Sequence, residues 1–137
     1  MTAKKTILCV DDEHSLSIHK VTLETRGYRV LTCATAAEAM NIVAHRRVDL
    51  VLSGMALPDA QPPELVQRIK SHCAEMPVVL LSCGKRAISV DAPVDLLLRK
   101  DCAPAELLDR IRLLMSKRRG PRRTAAAAAA AEKRQAC

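Results

Sequence analysis

Ile7-Leu8-Cys9-Val10-Asp11-Asp12-Glu13 is the stretch on which the reading of the chain turns. Four apolar residues closed off by three acids are too few for a helix. Their unbroken apolarity, without alternation, predicts a strand covered on both faces. Strands of that kind belong to parallel sheets whose connections are helices, so helical segments should separate the apolar runs.

Working outward, Ser15 to Arg26 carries Leu16, Ile18, Val21 and Leu23 at mixed three-to-five spacing, with Gly27 where a C-cap would sit. Tyr28 to Cys33 reads as a second strand. Thr35-Ala36-Ala37-Glu38 matches a capping box and opens a helix running to about His45. Val48 to Leu52 is the third strand, followed by a Pro- and Gly-rich loop from Gly54 to Pro63 and a helix from Glu64 to His72. Pro77 introduces the strand Val78 to Leu81. Gly84 to Pro93 is weakly patterned, Val94 to Leu98 is the fifth strand, and Pro104 opens a last helix with Leu107, Leu108, Ile111, Leu113 and Leu114 on its buried side. The expected fold class is therefore α/β, a five-stranded doubly wound parallel sheet, flavodoxin-like, with helices on both faces. In such sheets the functional crevice lies beyond the C-terminal strand ends. That directs attention to Asp11-Asp12, Ser53-Gly54, Ser82 and Lys100.

These strand ends resemble the receiver domain of bacterial two-component response regulators, the chemotaxis-regulator type. The likeness rests on Ile7 to Glu13, on Asp49-Leu50-Val51-Leu52 with Leu57-Pro58-Asp59, on Pro77 to Ser82, and on Lys100 followed by Pro104-Ala105-Glu106-Leu107-Leu108. It covers residues 5 to about 115. The resemblance implies phosphoryl transfer from a histidine kinase to an aspartate at the end of the third strand, assisted by Mg²⁺. It places Asp11 and Asp12 at the metal-holding acidic pair, Ser82 at the hydroxyl position and Lys100 at the lysine position; hard oxygen ligands suit Mg²⁺.

The acceptor itself is missing. In Leu52-Ser53-Gly54-Met55-Ala56-Leu57-Pro58, Gly54 stands where the family has its aspartate. Glycine offers neither a nucleophile nor a metal ligand. Ser53 should point to the opposite face of the sheet, and Asp59 reads as a turn residue after Pro58. Further departures from the family pattern follow. Asp101 replaces a proline and adds negative charge beside Lys100, Leu97 replaces the switch aromatic, Pro62 replaces a loop glycine, and the stretch between Ser82 and Lys100 is short and carries Pro93. The expectation is a degenerate, phosphorylation-independent receiver, not an enzyme, requiring no cofactor and binding Mg²⁺ weakly at best through Asp11 and Asp12. Lys100 is then expected either to keep a functional role or to serve only as an ion-pair partner for Asp11 or Asp12.

Composition narrows the alternatives. Residues 1–115 hold 15 basic and 14 acidic side chains, whereas residues 116–137 hold seven basic ones against Glu132 alone. The net charge of +7 thus belongs to a tail. Residues 1–116 are expected to form the receiver, and 117–137 a basic, Ala-rich, low-complexity tail without fixed structure. That tail supports an alternative reading, non-specific electrostatic binding of nucleic acid or another anion. With no helix-turn-helix after the body, sequence-specific DNA reading is not expected. Tyr28 is the only aromatic residue, which argues against stacking platforms for single strands. The six cysteines lack a C-x-x-C pair and read as free, mostly buried thiols in a reducing compartment. The four histidines show no metal-ligand pattern and read as solvated helix positions. No apolar run reaches the ~18 residues of a membrane span, and the N-terminus lacks a signal-peptide pattern, so a cytoplasmic location is expected. A stand-alone signalling protein working through protein–protein contacts, with a histidine kinase or another signalling protein as partner, is the function these expectations add up to.

Overall fold

A computed structural model describes residues 4–55, 57–82 and 94–118. It contains β1 (Thr6–Val10), α1 (Glu13–Glu24), β2 (Arg29–Cys33), α2 (Ala36–His45), β3 (Leu50–Gly54), α3 (Pro62–His72), β4 (Val78–Ser82), β5 (Leu96–Arg99) and α4 (Pro104–Arg118). The five strands form one sheet in the order β2-β1-β3-β4-β5. Every pairing is parallel.

Burial follows from that order. All residues of β1, β3 and β4 are buried, while the edge strands β2 and β5 keep exposed positions. On one face Leu8, Val10, Val51 and Leu80 pack against Ala36, Ala39 and Val43 of α2 and Leu65, Val66 and Ile69 of α3. On the other, Ile7, Cys9, Leu50, Leu52, Val79 and Leu81 pack against Leu23 of α1 and Leu107, Leu108, Ile111 and Met115 of α4. Each fully buried Leu or Ile removes enough apolar surface from water to contribute roughly 1.5–3 kcal/mol. Aliphatic side chains fill both layers. Tyr28 only lines the edge of the second.

Several boundaries differ from the sequence reading, each with a local cause. β3 begins at Leu50 because the Asp49 carboxylate bonds the Thr6 N–H (2.8 Å), and it continues through Ser53 and Gly54, which pair with Leu80 and Leu81. β5 starts at Leu96 because the Asp95 side chain is drawn to the Val78 N–H (2.8 Å). α1 ends at Glu24, and Gly27, with φ of 87°, takes the left-handed turn that leads into β2. α2 opens as its capping box requires: Thr35 Oγ1 accepts from the Glu38 N–H (3.1 Å). α4 continues through Arg118, past the expected end of the body at residue 116. The stretch from 83 to 93 and most of the tail expected over 117–137 lie outside the described residues.

Two readings are corrected. Cys73 is disulfide-bonded, its partner lying outside the described residues, whereas Cys9, Cys33 and Cys102 are free as expected. Burial pushes the Cys9 and Cys33 thiols up to about 12, so both are inert packing groups. His19 is buried, not solvated, with 7% of its surface exposed. Among the described residues no helix is long and apolar enough to cross a membrane.

Candidate functional site

The strand order reverses between β1 and β3, and in sheets of this kind the C-terminal strand ends at that point are where a site forms. Asp11 leaves the end of β1, Gly54 closes β3, and Lys100 leaves β5. By strand parity all three lie on the face covered by α1 and α4. Asp12 follows Asp11 and starts α1.

Lys100 Nζ donates to Asp11 Oδ1 at 2.9 Å and lies 2.9 Å from Oδ2. The pair gathers charge in a sheltered place: the side chain of Asp11 is 5% exposed and that of Lys100 24%. Asp11 Oδ1 also accepts from the Asp12 N–H at 2.8 Å. His19 Nε2 faces Asp11 Oδ2 at 3.5 Å, too long for a strong hydrogen bond. Burial alone would raise the Asp11 pKa. The contacts from His19 and Lys100 outweigh it and hold the carboxylate below its usual range. Lys100 shows the converse: desolvation would lower it, but Asp11 and then Asp12 raise it.

Asp12 is the N-cap of α1. Its Oδ1 accepts from the Ser15 N–H (2.8 Å) and its Oδ2 from Ser15 Oγ (3.2 Å). The Ser15 N–H bond, with Lys100 Nζ 3.5 Å away, lowers its pKa to about 2. Both carboxylates are therefore already engaged, one by Lys100 and one by the helix. Gly54 supplies no ligand. Among the described residues no cluster of three or more His, Cys, Asp or Glu is placed to hold a metal ion. As arranged, these residues do not fit the hard oxygen cage that Mg²⁺ needs.

Gly54 is short of space. A Cβ built on it would lie 2.5 Å from Asp11 Oδ1, 2.6 Å from Cγ and 2.7 Å from Oδ2. Ser53 is fully buried on the opposite face, where its hydroxyl donates to the Gly54 carbonyl at 2.8 Å. Ser82 ends β4, and its hydroxyl donates to the Leu98 carbonyl (3.3 Å). Of the residues picked out by sequence, the fold thus brings Asp11, Asp12 and Lys100 into contact, and it leaves Ser82 at the same end of the sheet with its hydroxyl turned to β5.

Three assignments change. The charge of Asp101 is taken up by Arg99, whose Nε and Nη2 donate to its oxygens at 3.1 and 3.0 Å. Asp59 is more than a turn residue. It accepts from the Ala36 and Ala37 N–H groups at 2.8 and 3.0 Å, so it joins Thr35 in capping α2, and those bonds lower its pKa. His19 is the pocket residue that pattern reading missed. The signal was present, since Ser15, His19 and Leu23 recur every four residues and form the buried stripe of α1.

The chain is similar throughout this body to known signalling proteins. The model of the response regulator receiver domain matches residues 7–112. The phosphate regulon transcriptional regulatory protein PhoB of Pseudomonas aeruginosa is 29% identical over 124 residues, 85% of this chain and 54% of PhoB. The response regulator MprA of Mycobacterium leprae is 31% identical over 115 residues, 80% of this chain and 50% of MprA. The chain therefore spans about half the length of these relatives. Among solved structures, a CheY-like receiver domain protein from Methanospirillum hungatei superimposes with a TM-score of 0.78 at 28% identity, covering 85% of this chain and 97% of that one. With that fold, and with acids and a lysine gathered where its strands part, the chain belongs to the response regulator receiver domain family.

Proposed function

We propose that this chain is a phosphorylation-independent receiver: a two-component signalling module whose output is set by protein–protein contact and not by an aspartyl phosphate. Receiver domains work with kinases or other signalling proteins, and that class of partner comes with the family. One observation carries the finer reading. At the end of β3, where the family has its acceptor, stands Gly54, and the lysine at the end of β5 is paired with Asp11.

The chemistry supports it. Phosphoryl transfer needs a nucleophile in line with the donor and a metal to neutralise developing charge. Gly54 offers no nucleophile, Asp11 is buried and bonded, and Asp12 caps a helix. Mg²⁺ binding is accordingly weak. Ser53 faces the other side of the sheet, and a serine phosphate would be a stable ester without the lability that makes receivers reversible.

The test is incubation with a small phosphodonor and Mg²⁺, followed by intact-mass measurement. The mass is expected to stay unchanged. An acid-stable or acid-labile phosphate adduct on the wild-type chain would overturn the reading.

A further inference from the structure

We propose that Asp11 has taken the acceptor's place in space: its carboxylate fills the volume that glycine at position 54 leaves open, and there it holds Lys100 in a standing internal ion pair. With Asp11 so placed, its carboxylate and a side chain at residue 54 compete for a single volume, and the pocket is closed by the chain itself. This deepens the phosphorylation-independent reading and rests on it.

The backbone does not explain the glycine. Gly54 pairs with Leu81 within β3, and among the described glycines Gly27 alone has a positive φ. Any L-residue could adopt the Gly54 conformation. What excludes a side chain is Asp11, whose Oδ1, Cγ and Oδ2 all lie 2.5–2.7 Å from one point, the site of the missing Cβ. A whole carboxylate lies against the point where residue 54 would begin its side chain, 2.5–2.7 Å away. An aspartate there would collide with it and set a second negative charge against the first.

Nor is Asp11 free to swing aside. Asp12 N–H and Lys100 Nζ both donate to its Oδ1, and Oδ2 lies between Lys100 and His19. Leaving that position would give up the ion pair and strand a buried carboxylate. The arrangement is self-consistent only with glycine at position 54. Lys100, meanwhile, has an anionic partner that needs neither kinase nor phosphate.

A double-mutant cycle tests this. Asp11→Ala, Gly54→Asp and the exchange variant carrying both are unfolded in urea at pH 7, and the Lys100 ammonium signal is followed by NMR. Each single change is expected to lower the folding equilibrium constant at least tenfold, and the exchange variant to recover most of that loss. The Lys100 signal should be protected in the wild type, lost in Asp11→Ala and regained in the exchange variant. Costs that simply add would overturn the proposal. If Gly54→Asp alone does not fold, Gly54→Ala replaces it: its penalty should disappear in the Asp11→Ala background, and a penalty independent of residue 11 would overturn the proposal equally. None of these readings uses a phosphodonor. An adduct on the wild type would therefore break the functional reading by itself, and an additive cycle would break the exchange while leaving the functional reading intact.

Discussion

The two ends of the sheet use the same side chain in different ways. At the end where strands begin, Asp49 accepts the first N–H of β1, from Thr6, and Asp95 accepts the first N–H of β4, from Val78. In each case an aspartate just ahead of one strand ties down the start of its neighbour, and Lys70 reinforces Asp95 at 2.7 Å. At the opposite end Asp11 depends chiefly on side chains, Lys100 and the facing His19. Backbone donors are fixed by the ladder, so the first end is fastened for as long as the sheet exists. Side-chain partners can be exchanged. A carboxylate bonded to strand N–H groups is thus structural at one end, and one bonded mainly to side chains leaves room for change at the other.

The largest expected effect attacks the exchangeable end. Lys100→Met leaves a buried carboxylate without its cation and should cost about 2–4 kcal/mol at pH 7, less than a fully buried pair because Lys100 is partly exposed. Asp11→Asn in the same background should recover most of it. The pH dependence follows from the directions of the shifts. Asp11 is depressed, so its share is present above the ordinary carboxylate value of 3.8 and fades as pH falls through its lower folded value. Lys100 is raised, so its share is complete below 10.5 and fades as pH rises through its higher folded value. Urea midpoints of wild type and Lys100→Met should therefore differ most between those limits and converge outside them. A pH-independent gap would mean that lost packing, not charge, explains the cost.

The fastened end gives a smaller effect. Asp49→Ala leaves the buried Thr6 N–H without its acceptor and should lower stability by about 1–3 kcal/mol, with no change in the Lys100 signal. A larger loss than that of Lys100→Met would reverse the ranking of the two ends. Smallest of all, Val21→Lys on the outer side of α1 should shift the midpoint by less than about 0.5 kcal/mol, since Val21 is already 64% exposed.

How much could be read beforehand depended on the range of the interaction. The strands declared themselves because β1, β3 and β4 are buried on both faces and so carry unbroken apolar runs. The Thr35 cap was legible because its partner is three residues away. Asp59 was not, since its partners lie 23 and 22 residues back along the chain. α1 was legible only in part from its apolar residues: Leu23 is buried and Leu16 packs on the core, but Ile18 and Val21 are 54% and 64% exposed, while the polar Ser15 and His19 are buried. The substitution at position 54 was visible in the sequence, but the carboxylate occupying its volume comes from β1 and could be placed only once β1 and β3 were side by side.

The second cap on α2 has a mechanical consequence. Asp59 belongs to the loop that leaves β3 just after Gly54, and it grips the first turn of a helix on the far side of the sheet from α1 and α4. A protein that pulls on this loop strips two donors of their acceptor and loosens that first turn. The end of β3 and the start of α2 are thus tied together across a short loop by one carboxylate.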